Sequence, residues 1–260
     1  MLTKTLNLAP VIAHRGASAY APENTLVAMR KAQQLGAQWV EFDVMLTADA
    51  EAIVIHDLTL NRTTNDRGRV ADTTYSKIAQ LDAGSWFAPE FRNERIPTLV
   101  ELLACLRELG LHINMEIKPV PGQELATTRK ALQILEQHWP CDKSPPLISS
   151  GSLLCLREVR RLHAELLLGV IADRWPRNWQ AVSEELECIS WHFNHKILNP
   201  ERVAQIQQAG KLVLAYTVNE AERALELFRW GVAAVFTNYP DVILKALIVS
   251  SHCKEKRIQR

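Results

Sequence analysis

The chain has 260 residues, of which 47% are hydrophobic and 23% charged, a composition that supports one large core and argues against a disordered chain or two independent domains. Thirty basic residues against 29 acidic ones leave a formal charge of +1, so no global field draws in nucleic acid or an anionic membrane and recognition rests on local charge. The five cysteines, at 105, 141, 155, 188 and 253, are odd in number and lack a CxxC pair, which speaks against a disulfide framework or a structural zinc site and suits a reducing cytoplasm.

The first ten residues hold no sustained apolar core of a signal peptide, and no run approaches the roughly 18 apolar residues that a membrane span needs. The expectation is a cytoplasmic protein with no membrane insertion. The basic tail with Lys254, Lys256, Arg257 and Arg260 reads as a solvated terminus rather than a membrane patch.

Apolar runs of strand length lie at 11–14, 39–44, 112–117, 147–149, 167–171, 188–192, 212–217 and 233–236. Segments with apolar residues three and four apart lie between and after them, at 23–35, 98–109, 123–138, 152–162, 178–186, 200–208, 219–230 and 240–249. These periods predict strands and amphipathic helices in alternation. Asn219 with Glu222 predicts a capping box, Asn199-Pro200 an N-cap and first-turn pair, and Gly36, Gly110, Gly210 and Gly231 follow helical runs where a left-handed residue closes a helix. Eight βα units predict an α/β fold in one domain covering residues 1–260, a closed (β/α)8 TIM barrel. An open doubly wound sheet is the alternative, but no GxGxxG supports it.

One connection is irregular. A short extra strand at 53–55 and a stretch at 57–97 with little helical period predict a small insertion between strand 2 and helix 2 of the barrel. It is expected to cap the barrel mouth, with Trp86, Phe87 and Phe91 packing it down, most simply as its own core.

A barrel of this kind builds its active site at the C-terminal ends of its strands. His14 and Arg15 end the first strand, Glu41 and Asp43 the second, Glu116 and Lys118 the third, His192 the sixth, Thr217 and Asn219 the seventh, and Thr237 and Asn238 the eighth. His56-Asp57 follows the extra strand. Taken singly, each has a bland reading as a structural histidine or a half-exposed strand residue. Trp191 and Asn194 are further candidates for lining the pocket, whereas His195 reads as structural or exposed.

Alternate strand residues share a face, so Glu41 with Asp43, and Glu116 with Lys118, look into one pocket. Three carboxylates buried together are costly without a cation. Oxygen ligands select one hard divalent ion, Mg2+ or Ca2+ rather than zinc. Three carboxylates, such an ion and the side chains of Arg15 and Lys118 leave one net positive charge, which complements a phosphodiester monoanion. Two histidines, cations and a metal together suit metal-assisted cleavage of a phosphate ester.

His14-Arg15-Gly16, Ala21-Pro22-Glu23-Asn24-Thr25, Glu41-Phe42-Asp43, His56-Asp57, Leu60-Asn61-Arg62-Thr63-Thr64, Asp82-Ala83-Gly84-Ser85-Trp86, Ile96-Pro97-Thr98-Leu99, Glu116-Ile117-Lys118-Pro119 and Tyr216-Thr217-Val218-Asn219 together resemble the glycerophosphodiester phosphodiesterases, in particular the small cytosolic bacterial enzymes. The resemblance runs over nearly the whole chain. It implies that Glu41, Asp43 and Glu116 bind the metal, that His14 and His56 are general acid and base, and that Arg15 and Lys118 bind the phosphate. The substrate it implies is a small glycerophosphodiester, such as glycerophosphocholine or glycerophosphoethanolamine, cleaved to sn-glycerol 3-phosphate and an alcohol.

The order of the two histidines, the nucleophile (water or a neighbouring glycerol hydroxyl), the choice of ion, the alcohol and the oligomeric state stay open. A related phospholipase C or D and a non-catalytic binding module are the alternatives. The lack of an evident docking loop weighs against the first, and the intact histidine pair and carboxylates against the second. Two positions depart from the family pattern: Asp49-Ala50 stands for an Asp-Gly turn, which predicts strain at a positive φ or a differently shaped hairpin, and Gly151 stands for an aromatic residue.

Overall fold

The computed structural model describes residues 8–139 and 145–258, with side chains through residue 250. The expectations for the first seven residues and for Cys141 lie outside the described residues, and those for the Cys253 thiol and the basic tail lie outside the described side chains.

In chain order the strands are β1 (Val11–His14), β2 (Trp39–Leu46), β3 (Ala52–Val54), β4 (His112–Ile117), β5 (Leu147–Ser150), β6 (Leu167–Ala172), β7 (Ser190–Asn194), β8 (Leu212–Tyr216) and β9 (Ala234–Thr237). The helices are α1 (Leu26–Gln34), α2 (Tyr75–Ile78), α3 (Leu99–Leu109), α4 (Glu124–His138), α5 (Leu153–Leu162), α6 (Trp179–Leu186), α7 (Pro200–Gln208), α8 (Ala221–Trp230) and α9 (Pro240–Ile258). All strands but β3 pair in parallel in the order β1-β9-β8-β7-β6-β5-β4-β2, and β1 also pairs with β2. That last pairing, with His14 opposite Glu41, closes the ring into an eight-stranded (β/α)8 barrel and rules out the open sheet.

Alternation along β2 explains how polar and apolar residues coexist in one buried strand. Val40, Phe42 and Val44 face the layer between strands and helices, where they join Leu102, Leu106 and Leu132 in the main core. Trp39 joins Ile12, Leu147, Leu167, Leu214, Ala234 and Phe236 in a second apolar cluster, and Glu41 and Asp43 share the parity of Trp39. Each fully buried Leu, Ile or Phe contributes about 1.5–3 kcal/mol, so the apolar residues fix which face of β2 looks into the barrel. Strand β7 works likewise: Trp191 and Phe193 stack outside the barrel with centroids 5.6 Å apart and planes at 9°, leaving His192 inside.

The expected glycines all have positive φ, and Asn199 caps α7, accepting from the Arg202 N–H at 2.9 Å. Two helix starts differ from expectation. Helix α1 begins at Leu26, capped by Thr25, because Asn24 is left-handed with φ 60° and cannot continue the turn. Asn219 does not cap α8. Its side-chain oxygen accepts from the Asn238 N–H at 2.9 Å, so the loop after β9 has taken the acceptor that the helix would use. The capping box belongs instead to α3, where Thr98 and Glu101 each accept from the other's backbone N–H.

The insertion folds over its own aliphatic core of Leu60, Val70, Ile78, Leu81 and Ile96, packed on Met45 of β2 and Ile53 of β3. The aromatic residues are not that core. Trp86 is 38% exposed and meets Phe87 edge-on, which in turn meets Phe91 edge-on. The branched aliphatics win because their shapes fill the narrow gap beneath the loop, while the Trp86 indole satisfies its N–H at the surface by donating to Ala83 O at 2.8 Å.

Candidate active site

Strand β1 ends in a sharp turn. Arg15 and Gly16 both take left-handed backbone, with φ 55° and 78°. A Cβ at Gly16 would lie 2.7 Å from the backbone carbon of Ala28, so glycine is required there. Arg15 pays roughly 1–2 kcal/mol for its conformation, and the turn aims its groups at the site. Its backbone N–H donates to Glu41 Oε2 at 2.9 Å, its Nη1 to Glu23 Oε1 at 2.8 Å, and its Nε lies 3.4 Å from Asp43 Oδ2. Asn24, also left-handed, donates through Nδ2 to Asp43 Oδ2 at 2.9 Å.

Parallel pairing puts Asp43 opposite Glu116, and one carboxylate oxygen each from Glu41, Asp43 and Glu116 falls within 4.8 Å of the others. The neighbourhood is strongly desolvated. Burial, with Asp43 and Glu116 beside it, pushes the Glu41 carboxyl well above the ordinary range, and burial, with Asp43 beside it, pushes Glu116 up to about 8. Burial also pushes Asp43 up, but Arg15, Lys118 and His56 outweigh it and leave Asp43 below its usual value. Lys118 Nζ stands 3.6 Å from Asp43 Oδ1.

Glu41 Oε1 and Asp43 Oδ1 are buried without a hydrogen-bond partner. Buried polar atoms are seldom left so. Two orphaned carboxyl oxygens beside a third carboxyl group form the donor set of a hard divalent cation, so the residues fit a metal ion.

His56 reaches the same site through the β2–β3 hairpin. Antiparallel pairing sets Val54 opposite Val44, and Ile55 N–H donates to Asp43 O at 3.1 Å, which leaves the next residue beside the carboxylates. His56 Nδ1 lies 2.6 Å from Asp57 Oδ1. Asp57 is gripped by Arg62, whose Nε and Nη2 donate to its two oxygens at 2.7 and 3.0 Å. The same guanidinium donates to both oxygens of Glu23 at 2.7 and 2.8 Å, and Glu23 holds Arg15. Charges alternate from Asp57 through Arg62 and Glu23 to Arg15, with the His56 ring hydrogen-bonded at the Asp57 end.

His14 Nδ1 is 2.8 Å from Asn238 Oδ1. Both partners are acceptors, so hydrogen bonding assigns the Nδ1 proton to each histidine and leaves Nε2 with the lone pair. Burial, reinforced by Arg15, lowers His14 to about 4, and burial lowers His56 as well despite Asp43. The hydrogen bond from Arg62 holds Asp57 well below the usual carboxylate range against the opposing effect of burial.

A cavity of about 320 Å3 opens over these groups. His14, Arg15, Glu41, His56, Glu116 and Lys118 line it, with Ile171, Asp173, Tyr216 and Phe236 among the other walls. The structure thus brings together all seven site residues expected from sequence, although Asp43 lies just beneath the lining. His192 also borders the cavity. Its Nε2 is 3.0 Å from Ser190 Oγ, and burial lowers it to about 3, which suits a neutral floor residue. Trp191 packs in the core, and His195 lies outside the cavity under Arg223, whose Nε donates to its Nδ1 at 3.3 Å.

Sequence reasoning gave no role to Asn24, Glu23, Arg62, Asp173 or Tyr216. The first three sit inside motifs already distinctive in the sequence. Asp173 carries no sequence signal.

The fold and this constellation define a barrel hydrolase acting on phosphate esters. Residues 14–242 match the family model for the glycerophosphoryl diester phosphodiesterase family. A glycerophosphodiester phosphodiesterase from Bacillus subtilis is 36% identical over 255 residues, covering 90% of this chain and 85% of the relative. Another, from Caldanaerobacter subterraneus subsp. tengcongensis, is 33% identical over 90% of this chain and 96% of its own. Among solved structures, an Oleispira antarctica phosphodiesterase in complex with its product sn-glycerol-3-phosphate superposes with a TM-score of 0.90 at 40% identity, over 92% of this chain and 97% of that one. The chain belongs to the glycerophosphoryl diester phosphodiesterase family and is an enzyme, a glycerophosphodiester phosphodiesterase.

Proposed function

We propose that this cavity hydrolyses sn-glycerol 3-phosphodiesters, of the glycerophosphocholine and glycerophosphoethanolamine kind, to sn-glycerol 3-phosphate and the free alcohol, within one catalytic domain that depends on a single Mg2+ or Ca2+ ion. The observation that carries this reading is the pair of orphaned oxygens on Glu41 and Asp43, buried beside Glu116 in a cavity shared with two histidines of fixed tautomer. The product in the Oleispira antarctica relative supports the glycerol 3-phosphate half. A cytoplasmic location is supported by the free, buried thiols of Cys105, Cys155 and Cys188.

When bound by Glu41, Asp43 and Glu116, the cation supplies positive charge that polarises the phosphodiester. Arg15 and Lys118 neutralise phosphate oxygens and stabilise the charge that grows on them during attack. His14 and His56 line the cavity, where one accepts the proton of the attacking nucleophile, water or a neighbouring glycerol hydroxyl, and the other, protonated, returns one to the leaving alkoxide. The arriving phosphate anion favours protonation of a neighbouring imidazole, offsetting the burial that lowers both histidines. Asp57 and Asn238 hold the two rings in register.

The test is release of sn-glycerol 3-phosphate from glycerophosphocholine by the purified chain, first with EDTA and then with Mg2+ or Ca2+ restored. Activity lost to the chelator and regained with one ion is expected, and the ion that restores it is the cofactor. Undiminished turnover in EDTA would overturn the metal role, and no turnover with any ion and several alcohols would overturn the function.

A further inference from the structure

The cavity has two unlike walls. Barrel order runs β1, β2, β4, β5, β6, β7, β8, β9, so the end of β6 lies half-way round from β1, and the end of β8 half-way round from β4. His14 and Arg15 therefore face the loop that begins with Asp173, and Glu116 and Lys118 face Tyr216. All six residues line the one cavity. Lys118 and Arg15 sit on the phosphate side, each beside Asp43.

On the far wall the charge is reversed. Tyr216 Oη donates to Asp173 Oδ1 at 2.8 Å, reaching across the top of β7. Among the described residues Asp173 has no other hydrogen bond and no ion pair with any Lys, Arg or His. Asp173 is exposed, and its second oxygen is left as an acceptor while Tyr216 Oη is donated to the first. Ile171 and Phe236 add apolar surface to the same wall. Asp173 is close enough to Glu116 to help raise the pKa of that carboxyl, which puts the far wall within electrostatic reach of the phosphate site.

An unneutralised carboxylate beside an aromatic ring and apolar side chains is the chemistry that recognises an ammonium group, whose charge meets the carboxylate and ring face while its methyl or methylene groups meet apolar surface. A neutral polyol can donate a hydroxyl to Asp173 but brings no positive charge to meet it, so it gains less from this wall than an ammonium group does. We propose that Asp173 and Tyr216 form a subsite for the cationic part of the alcohol, so that the enzyme prefers diesters whose alcohol carries an amine or quaternary ammonium. This assignment rests on the diesterase reading above and deepens it.

The test compares kcat/KM for glycerophosphocholine and glycerophosphoglycerol with the full chain and its restoring divalent cation. Wild type is expected to prefer the choline diester. Asp173→Asn keeps the Tyr216 partner and removes the charge, and is expected to lower the choline-to-glycerol ratio by about ten-fold. Tyr216→Leu removes the ring, and is expected to lower the same ratio by about three-fold or more. Ratios within about two-fold of wild type in both variants would overturn the subsite while leaving the diesterase intact. A parallel loss on both substrates would overturn it in favour of a role in holding the glycerol half. Failure of wild type to turn over either diester is a separate outcome that overturns the parent function, and the subsite with it.

Discussion

Arg62 has no contact with the carboxylate cluster, yet it holds two groups that line the cavity. Its side chain is 43% exposed, and its guanidinium is held by four hydrogen bonds, two to Asp57 and two to Glu23. Through Asp57 it orients His56, and through Glu23 it steadies Arg15. Arg62→Gln is expected to cut kcat by about ten-fold or more while changing KM less, because ring orientation matters most at proton transfer. Arg62→Lys restores charge but not the planar fork, and is expected to recover little. A variant whose kcat and KM both equal wild type would remove Arg62 from the positioning network.

The division of labour at the same scale is tested by four alanine variants. Glu41→Ala and Glu116→Ala are expected to lose activity together with bound metal. His14→Ala and His56→Ala are expected to lose about 100-fold or more in kcat with the metal retained, since general acid–base groups contribute roughly 10²–10⁴. Metal content measured on all four separates the roles, and equal metal loss throughout would collapse the distinction.

Among elements, the β2–β3 hairpin decides where His56 stands. Its turn runs through Asp49-Ala50, and Ala50 takes φ 59°, the strained conformation expected from the missing glycine. The turn is held by Asp49, whose Oδ1 accepts from Thr47 Oγ1 at 2.6 Å and from the Tyr75 N–H at 2.9 Å. A left-handed alanine costs roughly 1–2 kcal/mol, and glycine gives back part of that through unfolded-chain entropy. Ala50→Gly is therefore expected to stabilise the protein by about 0.5–1 kcal/mol, a rise of roughly 2 °C in Tm, with kcat unaltered. A lower Tm in thermal denaturation would show that the turn is not strained at this residue.

The elements also show what a sequence carries and what it withholds. Barrel strands and helices were legible because each has a period of its own, and the strand-end carboxylates and histidines because parity along β2 and β4 follows from alternation alone. The capping of α8 was not legible: Asn219 has the right type and spacing, but its acceptor is taken by Asn238, some 19 positions away. The insertion's aromatic residues misled for a related reason, since hydrophobicity says that a residue gains by burial but not which gap it fits. Asp173 and Tyr216 are 43 positions apart and meet only because β6 and β8 flank β7.

For the whole molecule, the buried carboxylates and histidines link stability, pH and metal. Glu116 has a folded pKa of about 8 against roughly 4.3 in an unfolded chain. Above the unfolded value the unfolded state releases its proton while the folded state keeps it, so stability falls as pH rises until the folded group also ionises near 8. Glu41, raised in the same direction, adds to the fall. The histidines act oppositely. His14 at about 4 and His192 at about 3 stay neutral when folded, so stability is lost as pH drops below roughly 6.5, where the unfolded imidazoles take up protons.

Between about pH 6.5 and 8 the raised carboxyls dominate, and the metal-free protein is expected to lose up to about 1.4 kcal/mol per pH unit through Glu116, with Glu41 acting in the same direction, a fall of a few degrees of Tm over that window. Saturating Mg2+ or Ca2+ compensates the carboxylates and should flatten the slope, while its apparent affinity should weaken as pH falls from 8 to 6.5, because Glu116 must give up its proton to bind. Glu116→Gln cannot ionise, so it should flatten much of the metal-free slope without any added ion. Thermal melts of wild type and this variant across the window, with EDTA and with each ion, read the linkage directly. A metal-free Tm that stays constant or rises from pH 6.5 to 8 would mean that these carboxylates are not held protonated by the fold, and the case for a cation drawn from their burial would fall with it.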